Sequence, residues 1–210
     1  MGGAIVLVYV FIAVFAPLLA PYDPLAQHPL DALAPPSAAH PLGTDELGRD
    51  VLSRLIFATR VDLVVGFLGA LLPAIVGTFL GAIAAYRGGW RDAAVMRTAD
   101  VVQAFPTYIL IIALVFALGQ GVSSILVAFT IIPWVAYARL IRSEILRVRG
   151  LDYVLAARAA GLPRRRILWL HVLPNAGSQI LVYLPSDIVI ATLGLAALSF
   201  LGLGIRPPTP

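Results

Sequence analysis

Residues 152–175 read DYVLAARAAGLPRRRILWLHVLPN, a polar, arginine-rich insert between segments too apolar for water. Asp152 is placed to N-cap a short helix reaching Ala160, its carboxylate accepting backbone N–H groups that no helical carbonyl reaches. Ala156, Ala157, Ala159 and Ala160 favour helix, and their small side chains let another surface come close. Gly161 falls where a helix calls for a left-handed residue just past its end, and Pro163 suits the start of a second helix. Arg164, Arg165 and Arg166 lead that second helix, and Pro174 is expected to end it. Two short helices bent at a glycine predict a compact basic knob, a shape suited to docking.

The rest of the chain says what carries the knob. Of 210 residues, 60% are hydrophobic and 12% charged, about half the charge of an ordinary soluble domain; mean hydropathy is +0.93. Backbone groups in hydrocarbon are satisfied only in helices or closed barrels. The apolar runs are long and continuous rather than alternating, which selects helices. The expected fold is all-α, a polytopic transmembrane bundle of about five spans. Cysteine is absent, which excludes disulfides, thiolate metal sites and cysteine nucleophiles. All fifteen basic residues are arginine. They cluster in loops flanking the apolar runs, so membrane topology explains the basic balance and no nucleic-acid partner is expected.

Residues 4–19 form the first apolar run, read as a retained helix rather than a cleaved signal peptide, since no Lys or Arg precedes it. Residues 17–41 hold seven prolines and predict an irregular loop. The loop leads into His40-Pro-Leu-Gly-Thr-Asp-Glu-Leu-Gly-Arg-Asp50. Gly43 and Gly48 give its backbone freedom, Asp45 or Asp50 caps the next helix, and Thr44 and Arg49 complete the motif. Residues 51–60 read as an amphipathic helix, and residues 61–86 as a second span whose Gly66, Gly69, Gly77 and Gly81 suit close packing. Residues 87–100 read as a short charged turn and 101–118 as the third span. The fourth, 122–138, is kinked at Pro133 and extended by 139–149. Residues 176–203 are the fifth span, closing on SFLGLG and then PPTP.

Three stretches now carry a resemblance. Ala156-Ala157, Gly161 and Leu173-Pro174 resemble the "EAA" coupling loop of the permease subunits of ABC importers. HPLGTDELGRD and SFLGLG…PPTP each resemble segments of the dipeptide, oligopeptide and nickel branch of those permeases, in the branch's order along the chain. The resemblance implies a type I (MetI-like) permease fold in a prokaryotic inner membrane, with residues 61–210 as the permease domain and 1–60 as an N-terminal helix plus extracytoplasmic loop. It also implies a second homologous permease, two cytoplasmic ATPases and an extracytoplasmic substrate-binding protein as partners. The coupling set would be Ala156, Ala157, Arg158, Ala159, Gly161, Arg164, Arg165, His171, Leu173 and Pro174. Two positions depart from the pattern: the family's Glu falls at Leu155, and an acid common before SFLGLG is replaced within Leu195-Ala196-Ala197. Family members continue past the PPTP turn into one more helix, so the expectation is a chain short of its last span.

Charge sets the expected orientation. The loop before residue 61, with Asp62, carries six acids against three arginines; residues 139–171 carry eight arginines against two acids. The positive-inside rule puts 139–175 and 87–100 in the cytoplasm and 20–60 and 119–124 outside. No catalytic constellation, metal-ligand spacing or phosphate loop occurs, so no cofactor is expected and ATP hydrolysis falls to a partner. Asp187, near the middle of the fifth run, is the one ionised group deep in that span. It reads either as lining a translocation path or as a hydrogen-bonding partner for a neighbouring helix. The expected function is permeation of peptides, metal chelates or similar solutes; the alternative is a membrane scaffold, or an inactive truncated permease, that only docks an ATPase.

Overall fold

The computed structural model describes residues 2–205; the PPTP segment and the turn expected there lie outside the described residues. The chain is helical: α1 (Gly2–Leu19), α2 (Val51–Arg87), α3 (Gly89–Gln103), α4 (Thr107–Leu118), α5 (Val122–Ile131), α6 (Trp134–Val148), α7 (Asp152–Ala159), α8 (Arg164–Ile167) and α9 (Leu173–Phe200). Among the described residues the sole β-pairing is an isolated bridge between Thr44 and Asp50. Two compact units divide after Gly66. Among the described residues, four helical runs are long and apolar enough to cross a membrane, and a fifth is reached if α3 and α4, bent by 86° at their junction, count as one.

Several local expectations are corrected. The amphipathic helix of 51–60 and the span of 61–86 are one continuous helix, α2. Nothing between Arg60 and Val61 breaks a helix, so the change in polarity marks a change of surroundings, not a boundary. The charged turn of 87–100 is helix α3, rich in the good helix formers Ala93, Ala94, Met96 and Ala99. Consequently the third apolar run is split: residues 101–103 finish α3, and α4 begins after Pro106. At 12 residues, α4 is roughly 18 Å long, short of a bilayer's ~30 Å. The knob also differs. Asp152 does not cap α7, because Leu151 occupies the cap position with no side-chain bond. Pro174 does not end the following helix either. A π-helical turn, Leu168–Val172, precedes it and the chain runs on into α9, because widening the turn absorbs the hydrogen bond and clash that proline imposes.

In the second unit, residues 67–204, α6 is the central element. Trp134, Ala138, Ile141, Ile145 and Val148 recur at three- and four-residue spacing and are buried, the stripe of a helix with one packed face. Against it α2 lays Gly77 and Gly81. A Cβ on Gly77 would stand 2.2 Å from the Trp134 carbonyl oxygen, and one on Gly81 2.3 Å from that of Ala138. The two helices touch backbone to backbone, the contact small residues four apart permit in lipid. Arg142 then clamps α3 to α6, its guanidinium reaching both Asp92 oxygens at 2.6 Å. Among the prolines inside apolar runs, Pro73 and Pro185 sit within unbroken helices, and Pro133 marks the break between α5 and α6.

Candidate functional site

The chemistry-bearing residues fall into three places, one in the first unit and two in the second. In the first unit, HPLGTDELGRD folds into a tight hydrogen-bonded loop. Asp50 caps α2: its Oδ2 accepts from the Ser53 N–H and hydroxyl, both at 2.7 Å, while Oδ1 faces His40 Nδ1 at 2.9 Å. Asp45 accepts from the backbone N–H groups of Leu47 (2.9 Å) and Arg49 (3.0 Å), and from the Arg49 and Arg54 guanidinium groups. The Thr44 hydroxyl accepts from the Ala34 N–H and donates to the Asp31 carbonyl. Gly43 and Gly48 both have left-handed backbones, and a Cβ on Gly48 would stand 1.8 Å from the His28 carbonyl oxygen, so neither position admits another residue.

Burial by itself raises the Asp50 carboxyl, but the bonds from Ser53 and His40 outweigh it and hold the group below the usual carboxylate range. Asp45 is lowered too: burial opposes, and the Arg49 and Leu47 donors prevail. A carboxyl depressed on folding stabilises the fold fully above its unfolded value, about 3.9, and loses that contribution as pH falls through its folded value. Protease resistance of the 20–50 loop should therefore hold at neutral pH and fail in strong acid. Asp50→Asn should open the loop at neutral pH, at a cost of about 1–3 kcal/mol for the donors left unpaired. An Asp50→Asn loop as resistant as the wild type at pH 7 contradicts this.

In the second unit, α7 and α8 form the knob. Val154, Ile167 and Val172 are fully buried and join the cluster of Tyr137, Ile141 and Ile145, fixing the knob to the end of α6. The bend is a Schellman motif: the Leu162 N–H donates to the Ala157 carbonyl at 3.2 Å and the Gly161 N–H to that of Arg158 at 3.0 Å, with Gly161 at φ +76°. Of the expected coupling residues, Ala156, Arg158, Ala159, Gly161, Arg164, Arg165 and Pro174 are exposed. Ala157 and Leu173 instead turn inward and pack on the buried cluster. His171 is half-buried; its carbonyl accepts from Tyr153 Oη and Asn175 Nδ2, and its Nδ1 has no hydrogen-bond partner among the described residues.

Asp187 occupies the third place. It is the only carboxylate lining a cavity of about 280 Å³ between α2, α4, α9 and the α5–α6 break, with Gln103, Thr107 and Tyr108 as polar neighbours and Phe129, Ile111 and Ala191 as apolar wall. Phe129 is wedged between two glycines: a Cβ on Gly69 or Gly194 would meet its ring at 2.8 or 3.1 Å. The Tyr137 hydroxyl, buried on α6, lies close to Asp187 but makes no hydrogen bond of ordinary geometry among the described residues, and its ring meets Tyr183 edge-on at 5.4 Å. Sequence reading missed Tyr137, because helical spacing marks it as core and nothing local tells that its hydroxyl points towards a carboxylate fifty residues on.

Comparison with known proteins agrees with this anatomy. Residues 77–210 match the family described as binding-protein-dependent transport system inner membrane component, and residues 1–36 match the N-terminal TM domain of oligopeptide transport permease C. The glutathione transport system permease protein GsiD of Pectobacterium atrosepticum is 41% identical over 210 residues, all of this chain and 70% of that protein. The dipeptide transport system permease protein DppC of Bacillus subtilis is 37% identical over 209 residues, 99% of this chain and 65% of that protein. The oligopeptide permease protein OppC of the same organism is 36% identical, across 99% of this chain and 68% of its own length. The chain thus belongs to the family of binding-protein-dependent transport system inner membrane components, as a multi-pass, non-catalytic permease subunit of the dipeptide/oligopeptide/nickel branch of ABC importers.

Proposed function

We propose that the Asp187 cavity is this subunit's share of a translocation path for short peptides or similar small solutes. Relatives named for glutathione, dipeptides and oligopeptides support that cargo class. The observation that carries the reading is a lone carboxylate in a mostly apolar cavity walled by helices from four parts of the chain. An apolar cleft with one well-placed charge accepts varied side chains while fixing one common group, and a cationic amino terminus is the group every free peptide shares. A protein that merely held an ATPase in place has no use for such a cavity. The path is completed by a second homologous permease; cargo arrives from an extracytoplasmic binding protein; and two cytoplasmic ATPases dock on the exposed side of the α7–α8 knob. The arginine-rich 139–175 region faces the cytoplasm and the 20–50 loop the outside.

The test is ATP-driven uptake into vesicles holding the complete complex. Asp187→Asn keeps the shape and removes the charge, so uptake of a free peptide should fall roughly tenfold or more, while uptake of an amino-acetylated peptide, lacking the cation, should change little. Equal uptake of the free peptide by variant and wild type overturns the role given to Asp187.

A further inference from the structure

Three helical runs long and apolar enough to cross a membrane come together at one place. Tyr86 is the last residue but one of Val51–Arg87, Arg149 follows Val122–Val148, and Arg164 opens Arg164–Phe200. These residues, with Arg158, Leu162 and Ile167, line a pocket of about 350 Å³ under the knob. Three arginines, a tyrosine and two aliphatic residues make up the lining, with no carboxylate among them. Tyr86 Oη donates to the Arg164 carbonyl, and Arg149 Nη1 to that of Ala85 at 3.4 Å, which hold two sides of the pocket together. Arg158 and Arg164 have no acidic partner among the described residues, and Asp92, whose carboxylate feels the charge of Arg149, is already held on both oxygens by Arg142. Three cations converging without a counter-charge repel one another unless an anion lies among them.

We propose that this pocket binds the phosphodiester headgroup of an anionic phospholipid. The place selects the ligand: where apolar spans meet their flanking loops, lipid phosphates are the abundant anions, and basic pockets between membrane helices recognise them. Planar guanidinium forks suit phosphate oxygens, and a tyrosine at the end of a span matches the aromatic belt of the interface. A bound lipid would tie the ends of α2 and α6 to the knob. The inference goes beyond the transport reading and needs only that the spans cross a bilayer.

The chain is extracted from membranes without any ATPase, and co-purified lipids are measured by native mass spectrometry after exchange against phosphatidylglycerol or phosphatidylcholine. Wild type should retain phosphatidylglycerol preferentially, and Arg149→Gln with Arg158→Gln should lower that retention roughly tenfold or more. Arg158→Gln alone breaks no hydrogen bond within the chain and serves where the double variant unfolds; it should still lose several-fold. Arg165→Gln with Arg166→Gln removes equal charge outside the pocket and should retain lipid as wild type does. Equal loss in the 165/166 variant, or no preference for phosphatidylglycerol in the wild type, overturns the proposal. So does displacement of the lipid by millimolar inorganic phosphate, which assigns the pocket to a soluble anion instead.

Discussion

Gly81→Val should prevent the second unit from packing. The added Cβ alone meets the Ala138 carbonyl oxygen at 2.3 Å and Ile141 Cγ2 at 2.5 Å; the first contact is backbone and has no rotamer to escape into. Two more methyl groups oblige α2 and α6 to separate along the seam that Gly77 and Gly81 share. Separation exposes a stripe including Ala82, Ala85 and Ile141 that now excludes lipid and water alike. Overpacking a well-filled core costs about 1–3 kcal/mol, and here the seam lies at the base of both the knob and the Asp187 cavity, so the expected loss lies at or beyond the top of that range. Gly177→Ala is the matched control. A Cβ there meets nothing within 4 Å, and alanine in a helix interior gains roughly 1 kcal/mol over glycine. Thermal unfolding in detergent should show a large fall for Gly81→Val and a small rise for Gly177→Ala. Two indistinguishable melting curves would mean that α2 and α6 do not meet backbone to backbone at this seam.

The apolar runs, the bend at Gly161 and the capping role of Asp50 are legible in the sequence because each rests on residues within a few positions of one another. What was not legible depends on distant partners. The stretch after Arg87 looks like a charged turn when read locally. Its Asp92 and Asp100 become helix-surface residues only because Arg142 and Arg139 stand opposite them on α6, fifty and thirty-nine positions away. The Arg139 pair is exposed and worth little; the bidentate Arg142 pair is the one that holds. Proline misled for a related reason. Pro174 has the same local effect as any proline, but a widened turn before it lets Arg164–Phe200 run on as one helical length into an apolar stretch, and lipid-facing helices gain more from continuing than from stopping. Asp187 was visible as an anomaly of charge. Its cavity was not, since the walls come from α2, α4 and the α5–α6 break, each far away in sequence.

Gly161 separates a residue kept for its backbone from one kept for its surface. At φ +76°, valine is strained by roughly 1–2 kcal/mol, but the space its Cβ enters is empty, with no atom of the chain within 4 Å. The subunit alone should therefore insert, fold and lose only that amount of stability. Asparagine tolerates the left-handed conformation, so Gly161→Asn should lose almost none, yet it fills the same space. If the knob docks in an ATPase cleft, as we propose, that space belongs to the partner, and a side chain there displaces a contact at the centre of the interface, worth about 2 kcal/mol or more. Both variants should then lose ATPase pull-down and at least roughly thirtyfold of their transport, the asparagine as badly as the valine despite its unstrained turn. Transport restored in Gly161→Asn and lost only in Gly161→Val would instead mean that the glycine serves the bend between α7 and α8 and leaves the docking to the alanines and arginines around it.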